Sequence, residues 1–220
     1  MGARAIKGGK YTLYGRPGSG SAAVEAMLEL TGVNHQTIDV GKADAEALAK
    51  LRALNPLCQV PTLVLPSGEI MTESAAMLVF LADLAPKSGL APGVDDPRRA
   101  KFLRLMVYLS ANLYMSFLRF YYSDRYIADP AGADAVTRAA AEQIGFEWRV
   151  FDDLIAPGPF ALGEAMSGVD IYAAMLMDWT DDRDALFARH PRLAAIARAV
   201  AAHPKIGPAW SRHGIVPPSA

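Results

Sequence analysis

Apolar and β-branched positions come in short runs as far as Leu84 and in long helical periods beyond Pro97. Tyr11-Thr12-Leu13-Tyr14 is the first run, cut off by Gly15-Arg16-Pro17-Gly18-Ser19-Gly20-Ser21, a density of breakers that demands a loop. The loop feeds a helix from about Ala22 to Leu30, with Val24, Met27, Leu28 and Thr31 inward and Gly32 closing it. Thr37 to Val40 reads as a second strand, and Ala43 to Leu54 carries Leu48, Leu51 and Leu54 at helical spacing. Val60 to Leu65 is a third strand with Pro61 at its mouth, where a missing N–H does no harm to a ladder. The Val60–Pro61 bond is a candidate for cis, and a cis bond would turn the Val60 N–H and C=O outward. A Pro66-Ser67-Gly68-Glu69 turn then returns the chain through Ile70-Met71 as a hairpin, and Glu73-Ser74 opens an apolar helix from Ala75 to Leu84. This order of elements predicts a sheet covered by helices.

Three prolines and two glycines between Pro86 and Pro97 mark a linker, and strand patterning vanishes after it. One helix is expected from Pro97 to about Asp124, with Leu103, Met106, Val107 and Ser110 on one side. A second runs from Ala133 to Ile155 through Ile144, Trp148 and Phe151. Ser167-Gly168-Val169-Asp170 ahead of an apolar run reads as a capping box, which makes Asp170 a structural carboxylate rather than a catalytic acid. Leu193, Ile196, Ala197 and Val200 give one more amphipathic helix, and the proline-bearing tail from Gly207 is a candidate to fold back over the first half. The divisions are then a lead-in over 1–10, an α/β domain over 11–86, a linker over 87–97 and an all-helical domain over 98–220.

Composition narrows the function. The 220 residues are 52% hydrophobic and 20% charged, enough to bury a core without disulfides. A formal net charge of -1 gives no basic field for nucleic acid, and no apolar run has the length of a membrane span. Cys58 is the single cysteine, which fits a cytoplasmic setting, and its apolar neighbours suggest a small buried filler. His35, His190, His203 and His213 are too scattered to suggest a metal site.

Asn55-Pro56-x-x-Gln59-Val60-Pro61-Thr62-Leu63, followed by Glu73-Ser74, resembles the glutathione-binding half of the cytosolic glutathione transferases, here of a bacterial, serine-type, beta- or theta-like kind. The resemblance covers Tyr11 to about His203 and implies a thioredoxin-like N-terminal domain with an all-helical C-terminal domain. It also implies glutathione as co-substrate, no metal, and a homodimer in which the third helix of the first domain and the first helix of the second make contact. Carried over, Gln59 and Val60 pair with the cysteinyl part of glutathione, Pro61 shapes that edge, and Glu73 and Ser74 hold the γ-glutamyl amine and carboxylate.

Glutathione's thiol, like a free cysteine with a pKa near ~8.5, is mostly protonated at neutral pH, so a transferase gains rate by stabilising the thiolate. A hydroxyl at a helix N-terminus serves that end. Alignment with the serine-type enzymes puts the activating residue at Ser19, with Ser21 the alternative; both also suit plain helix caps. Cysteine-bearing bacterial relatives have a similar loop, but their cysteine position is Gly20 here, which argues against chemistry through a protein thiol. Arg16 reads as a solvated loop residue. Tyr14 is a core or pocket-wall residue, and Tyr114, Phe117, Leu118, Tyr121 and Tyr122 form an aromatic stripe on the helix that walls the electrophile pocket in the family. The implied reaction is conjugation of glutathione to small hydrophobic electrophiles. The alternatives are a non-catalytic binding protein of the same fold, or a glutathione-dependent isomerase or dehalogenase.

Overall fold

Residues 9–218 are described by a computed structural model of the chain; the lead-in expected over 1–10 lies outside these residues up to residue 8. Strand β1 (Tyr11–Gly15) runs into helix α1 (Ser21–Thr31), then β2 (His35–Asp39) and α2 (Ala45–Leu54). The hairpin β3 (Thr62–Val64) and β4 (Ile70–Met71) leads to α3 (Ser74–Leu84). The sheet has the order β2-β1-β3-β4, with β1 parallel to β2 and antiparallel to β3. This is the thioredoxin-like arrangement. Local chemistry sets its corners. Asp44 caps α2 by accepting from the Ala47 N–H at 2.9 Å, Gly32 ends α1 in the left-handed region, and Gly68 at φ 86° closes the hairpin.

Helices α4 (Arg99–Tyr108), α5 (Tyr114–Tyr121), α6 (Ala133–Leu154), α7 (Gly168–Asp178), α8 (Arg183–Arg189), α9 (Pro191–Ala201) and α10 (Gly207–His213) form the second half. Side chains of both halves share one continuous core, with α7 buried from Gly168 to Met177 against α1, α3 and α4. The Arg99 guanidinium grips both Asp83 oxygens at 2.8 Å and the Pro92 carbonyl at 3.0 Å, which fixes the linker between α3 and α4.

The long helix expected from Pro97 to Asp124 is interrupted. A π-helical turn over Leu109–Leu113 separates α4 from α5 and rotates the phase of the apolar stripe. Within α4 the buried side is Phe102, Leu105 and Met106, continued by Leu109 and Leu113, while Leu103 and Val107, expected inside, are 40% and 61% exposed. The capping box at the start of α7 is formed. Asp170 Oδ2 accepts from the Ser167 N–H and hydroxyl, each at 2.8 Å, and Oδ1 accepts from the Ala161 N–H at 2.7 Å. Burial lifts the Asp170 pKa against the pull of these donors.

The tail does fold back. Helix α10 packs on α1, where His213 Nε2 lies 3.0 Å from Glu25 Oε2 and Arg212 pairs with the other carboxylate oxygen. Glu25 and His213 are both buried. Burial and then the adjacent Arg212 charge pull the His213 pKa down to about 4, with Asp39 opposing.

Candidate functional site

The loop from Asn55 to Thr62 is built around one buried amide. Asn55 Nδ2 donates to the Gln59 carbonyl at 3.2 Å and to Thr62 Oγ1 at 3.0 Å, while its Oδ1 accepts from the Leu57 N–H at 3.1 Å. Thr62 Oγ1 donates to the same Gln59 carbonyl at 2.8 Å. The Val60–Pro61 bond is cis. The Gln59 carbonyl is thus committed inward and its side chain is exposed. Among the described residues the backbone N–H and C=O of Val60 have no hydrogen-bond partner. Continuing the β1–β3 register two residues past Tyr14↔Thr62 sets Val60 beside Arg16, and continuing β3–β4 past Leu63↔Met71 sets it beside Ser74. An unpaired backbone edge therefore lies between the first loop and the start of α3.

Cys58 differs from the buried filler expected. It is half-buried at φ 52°, in the left-handed region that favours glycine.

Glu73 and Ser74 start α3. Glu73, at φ 65° and ψ 97°, occupies the N-cap position but makes no side-chain cap, so the first-turn N–H groups of α3 are open to an anion. Ser74 is buried, and its hydroxyl lies 2.8 Å from the Tyr172 hydroxyl on α7. Burial raises the Tyr172 pKa, so this phenol stays protonated.

The Gly15–Ser21 loop is closed by its own polar groups. Arg16 is not simply solvated: its Nε donates to the Val40 carbonyl at 2.7 Å and ties the loop to the end of β2. Ser19 Oγ donates to the Arg16 carbonyl at 2.6 Å, lies 2.9 Å from Ser21 Oγ and accepts from the Ser21 N–H at 3.2 Å. Ser19 is half-buried, whereas Ser21 is fully buried and accepts from the Arg16 N–H at 3.3 Å. Ser21 is a packing and loop-closing residue, since no surface of it is left for a ligand.

The aromatic stripe of α5 is divided along its length. Trp179, at the end of α7, is the hub: Tyr114 meets its ring edge-on at 5.1 Å, Phe117 does so at 5.9 Å, and the Tyr121 hydroxyl donates to its carbonyl. Phe117 is buried and belongs to the core. Tyr121 is spent on Trp179, and Leu118 is half-buried. A cavity of about 220 Å³ lies beyond Phe117, between α5, α6 and α8, and is lined by none of Ser19, Val60, Glu73 or Ser74. Tyr14 follows the opposite parity to Leu13, which is in the core with α1 and α3; it faces the α2 side of the sheet, near Lys50, and not the cleft.

Tyr114 alone of the stripe reaches the first loop. A Cβ on Gly20 would come within 2.7 Å of its hydroxyl, so the phenol lies over Gly20 at the start of α1. Its ring is 6.4 Å from that of Tyr172, which in turn bonds Ser74. Gly20, Tyr114, Tyr172 and Ser74 thereby link the loop to the N-terminus of α3. Asn55 stood in the sequence pattern without an assigned task, which proves to be holding the loop together, while Tyr172 and Trp179 had no place in it.

No helix among the described residues is long and apolar enough to cross a membrane, and the described residues contain no cluster of metal-binding side chains. Residues 21–84 match the family model for the glutathione S-transferase N-terminal domain. An uncharacterised GST-like protein of Escherichia coli K12, YncG, is 34% identical over 206 residues, which is 93% of this chain and 98% of that protein. Among solved structures, a glutathione transferase homologue from Sulfitobacter with bound glutathione superposes with a TM-score of 0.84 at 27% identity, over 94% of this chain and 99% of that one. A sphingomonad glutathione S-transferase complexed with glutathione gives 0.77 at 29% identity, over 93% and 100% of the two chains. An identity of that level over almost the full length, on this fold and this loop set, makes the chain a member of the glutathione transferase superfamily.

Proposed function

We propose that the chain joins the sulfur of glutathione to small hydrophobic electrophiles, with Ser19 the loop hydroxyl that serves the sulfur. The observation that carries this reading is the unpaired Val60 backbone edge beside the uncapped start of α3. The cysteinyl backbone of glutathione pairs with Val60. Its γ-glutamyl carboxylate takes the N–H groups at Ser74 and Ala75, where the helix dipole favours negative charge, and its amine takes Glu73. With Tyr172 donating to Ser74 Oγ, the Ser74 proton is free for the same carboxylate. The bound structures of the Sulfitobacter and sphingomonad relatives support glutathione as the ligand.

So held, the thiol lies over the start of α1. It loses its proton to water and the thiolate attacks the electrophilic carbon; from a chlorinated nitroarene, chloride departs with its electron pair, and on an isothiocyanate the pair passes to nitrogen, which takes a proton from water. Ser19 must exchange its 2.6 Å bond to the Arg16 carbonyl for one to the sulfur, which is a rotation about a single bond. Tyr114 and Leu118 wall the electrophile side. Titration of the thiolate absorbance of bound glutathione tests the role of Ser19. Ser19→Ala is expected to reduce the ratio of thiolate to thiol about tenfold or more, the worth of a hydrogen bond to a charged atom, with a smaller change in affinity. An unchanged titration with unchanged turnover of chlorinated nitroarenes or isothiocyanates refutes it.

The same reading makes the molecule a two-fold homodimer through α3 and α4. Leu103 and Val107 leave an apolar face on α4 that a second copy covers. A monomer mass by light scattering across a wide concentration range overturns this.

A further inference from the structure

We infer that the Tyr114 hydroxyl, contributed by the helical half, is a second catalytic donor to the glutathione sulfur and takes the place that a side chain at position 20 would fill. This rests on the glutathione site proposed above. The loop at 18–21 supplies a gap and not a thiol: Gly20 has no side chain, and any Cβ there would meet the Tyr114 hydroxyl at 2.7 Å and its Cε2 at 3.1 Å. The absence of a Cβ at Gly20 is what lets the phenol come down onto the N-terminal turn of α1.

The hydroxyl is also unspent. Among the described residues Tyr108, Tyr121 and Tyr172 all direct their hydroxyls at a named partner, whereas that of Tyr114 has none. It is not fully enclosed either, so it keeps some contact with solvent. Ser19, by contrast, already gives its proton to Arg16. Of the two hydroxyls flanking Gly20, the phenol donates to an incoming sulfur without breaking a protein bond.

Its environment suits donation and nothing else. Burial, with smaller effects from Tyr122 and Glu73, holds the Tyr114 pKa up at about 12, so the phenol keeps its proton and cannot act as a base at neutral pH. Edge-on packing against Trp179 at 5.1 Å and the tilted contact with Tyr172 at 6.4 Å fix the ring. The thiol proton still leaves to water; the phenol contributes a hydrogen bond to the thiolate and to the charge remaining on sulfur as the new C–S bond forms.

Tyr114→Phe, Gly20→Ala and Ser19→Ala, each beside wild type, test this by the thiolate absorbance of bound glutathione against pH. Tyr114→Phe is expected to lower the ratio of thiolate to thiol about tenfold, a rise of the bound thiol's pKa by about one unit. It should change the denaturant midpoint little, because the hydroxyl bonds nothing in the free chain. Gly20→Ala, which pushes the phenol aside, should reproduce the loss. S-methylglutathione, which has no ionisable sulfur, should bind all four proteins within about twofold, because the hydrogen bond in question is made to the thiolate. If S-methylglutathione binds wild type and Tyr114→Phe leaves the thiolate titration in place, the inference is overturned while the glutathione site stands. If wild type binds neither glutathione nor S-methylglutathione, the proposed function itself fails.

Discussion

Glu73 is a residue whose local geometry and whose charge work in opposite directions. At φ 65° and ψ 97° it sits in a region where any residue with a Cβ is at a disadvantage, costing about 1–2 kcal/mol relative to glycine. Its carboxylate is exposed and receives only a 3.4 Å contact from the Thr72 hydroxyl, so folding recovers little from the side chain. Two substitutions separate the effects. Glu73→Gly removes the backbone penalty and is expected to raise stability in urea by about 0.5–1 kcal/mol once the entropy of glycine in the unfolded chain is offset. Glu73→Ala keeps the penalty and should leave stability within about 0.5 kcal/mol of wild type. Both delete the partner for a γ-glutamyl amine. A charge-assisted hydrogen bond is worth about 1.5–3 kcal/mol, and solvent exposure places this one at the low end, so both variants should bind glutathione about tenfold more weakly by calorimetry. Wild-type affinity in Glu73→Gly would refute the assignment of this carboxylate to the ligand. A glycine variant less stable than the alanine variant would refute the backbone argument.

Asp170→Ala leaves the Ala161 N–H, the Ser167 N–H and the Ser167 hydroxyl without their buried acceptor; a loss of about 3–5 kcal/mol is expected in urea unfolding, and a loss under about 1 kcal/mol would show that the box is not holding α7. His213 gives a pH dependence with a definite sign. Its folded pKa of about 4 lies below the ordinary value of 6.5, so the unfolded chain takes up a proton that the native chain refuses. Among Glu25, Arg212 and Asp39 around it, this contribution is flat above about pH 7. Stability then falls as pH drops from about 6.5 to 4, by on the order of 1–3 kcal/mol. The urea midpoint measured at pH 7 and pH 5 checks it, and His213→Gln should remove most of that slope.

The first half of the chain was legible because its signals are local. Breakers from Gly15 to Ser21, the glycines at 32 and 68, and Pro61 each dictate a backbone state within a few residues, and the strand and helix periods between them do the rest. The N-terminus of α3 and the Val60 edge follow from that. The second half hides its decisive contacts. The stripe of α4 was placed on Leu103 and Val107 although Phe102 and Leu105 offer the same period one residue earlier, and nothing in Leu109-Ser110-Ala111-Asn112-Leu113 announces a π-helical turn. The Ser74–Tyr172 bond joins residues 98 apart, and the fit of Tyr114 over Gly20 depends on how two halves dock, which no local period encodes. Tyrosines also look alike in a sequence whether spent or free: the hydroxyl of Tyr121 is consumed by Trp179, and only the folded contacts separate it from that of Tyr114.

The closure of α10 on α1 has a consequence for the order in which the protein can be completed. Glu25 is made early, in the helix that follows the glutathione loop, while the residues that neutralise and enclose it come 188 positions later. At ordinary rates of about 5–20 residues per second, a ribosome needs roughly ten to forty seconds to cover that distance. Throughout that interval the nascent first half carries a carboxylate that water must solvate, so α1 cannot settle into its final dry packing until the last helix emerges. The sheet and hairpin can form as the chain is born, but the surface behind the Gly15–Ser21 loop becomes rigid only after α10 has been made.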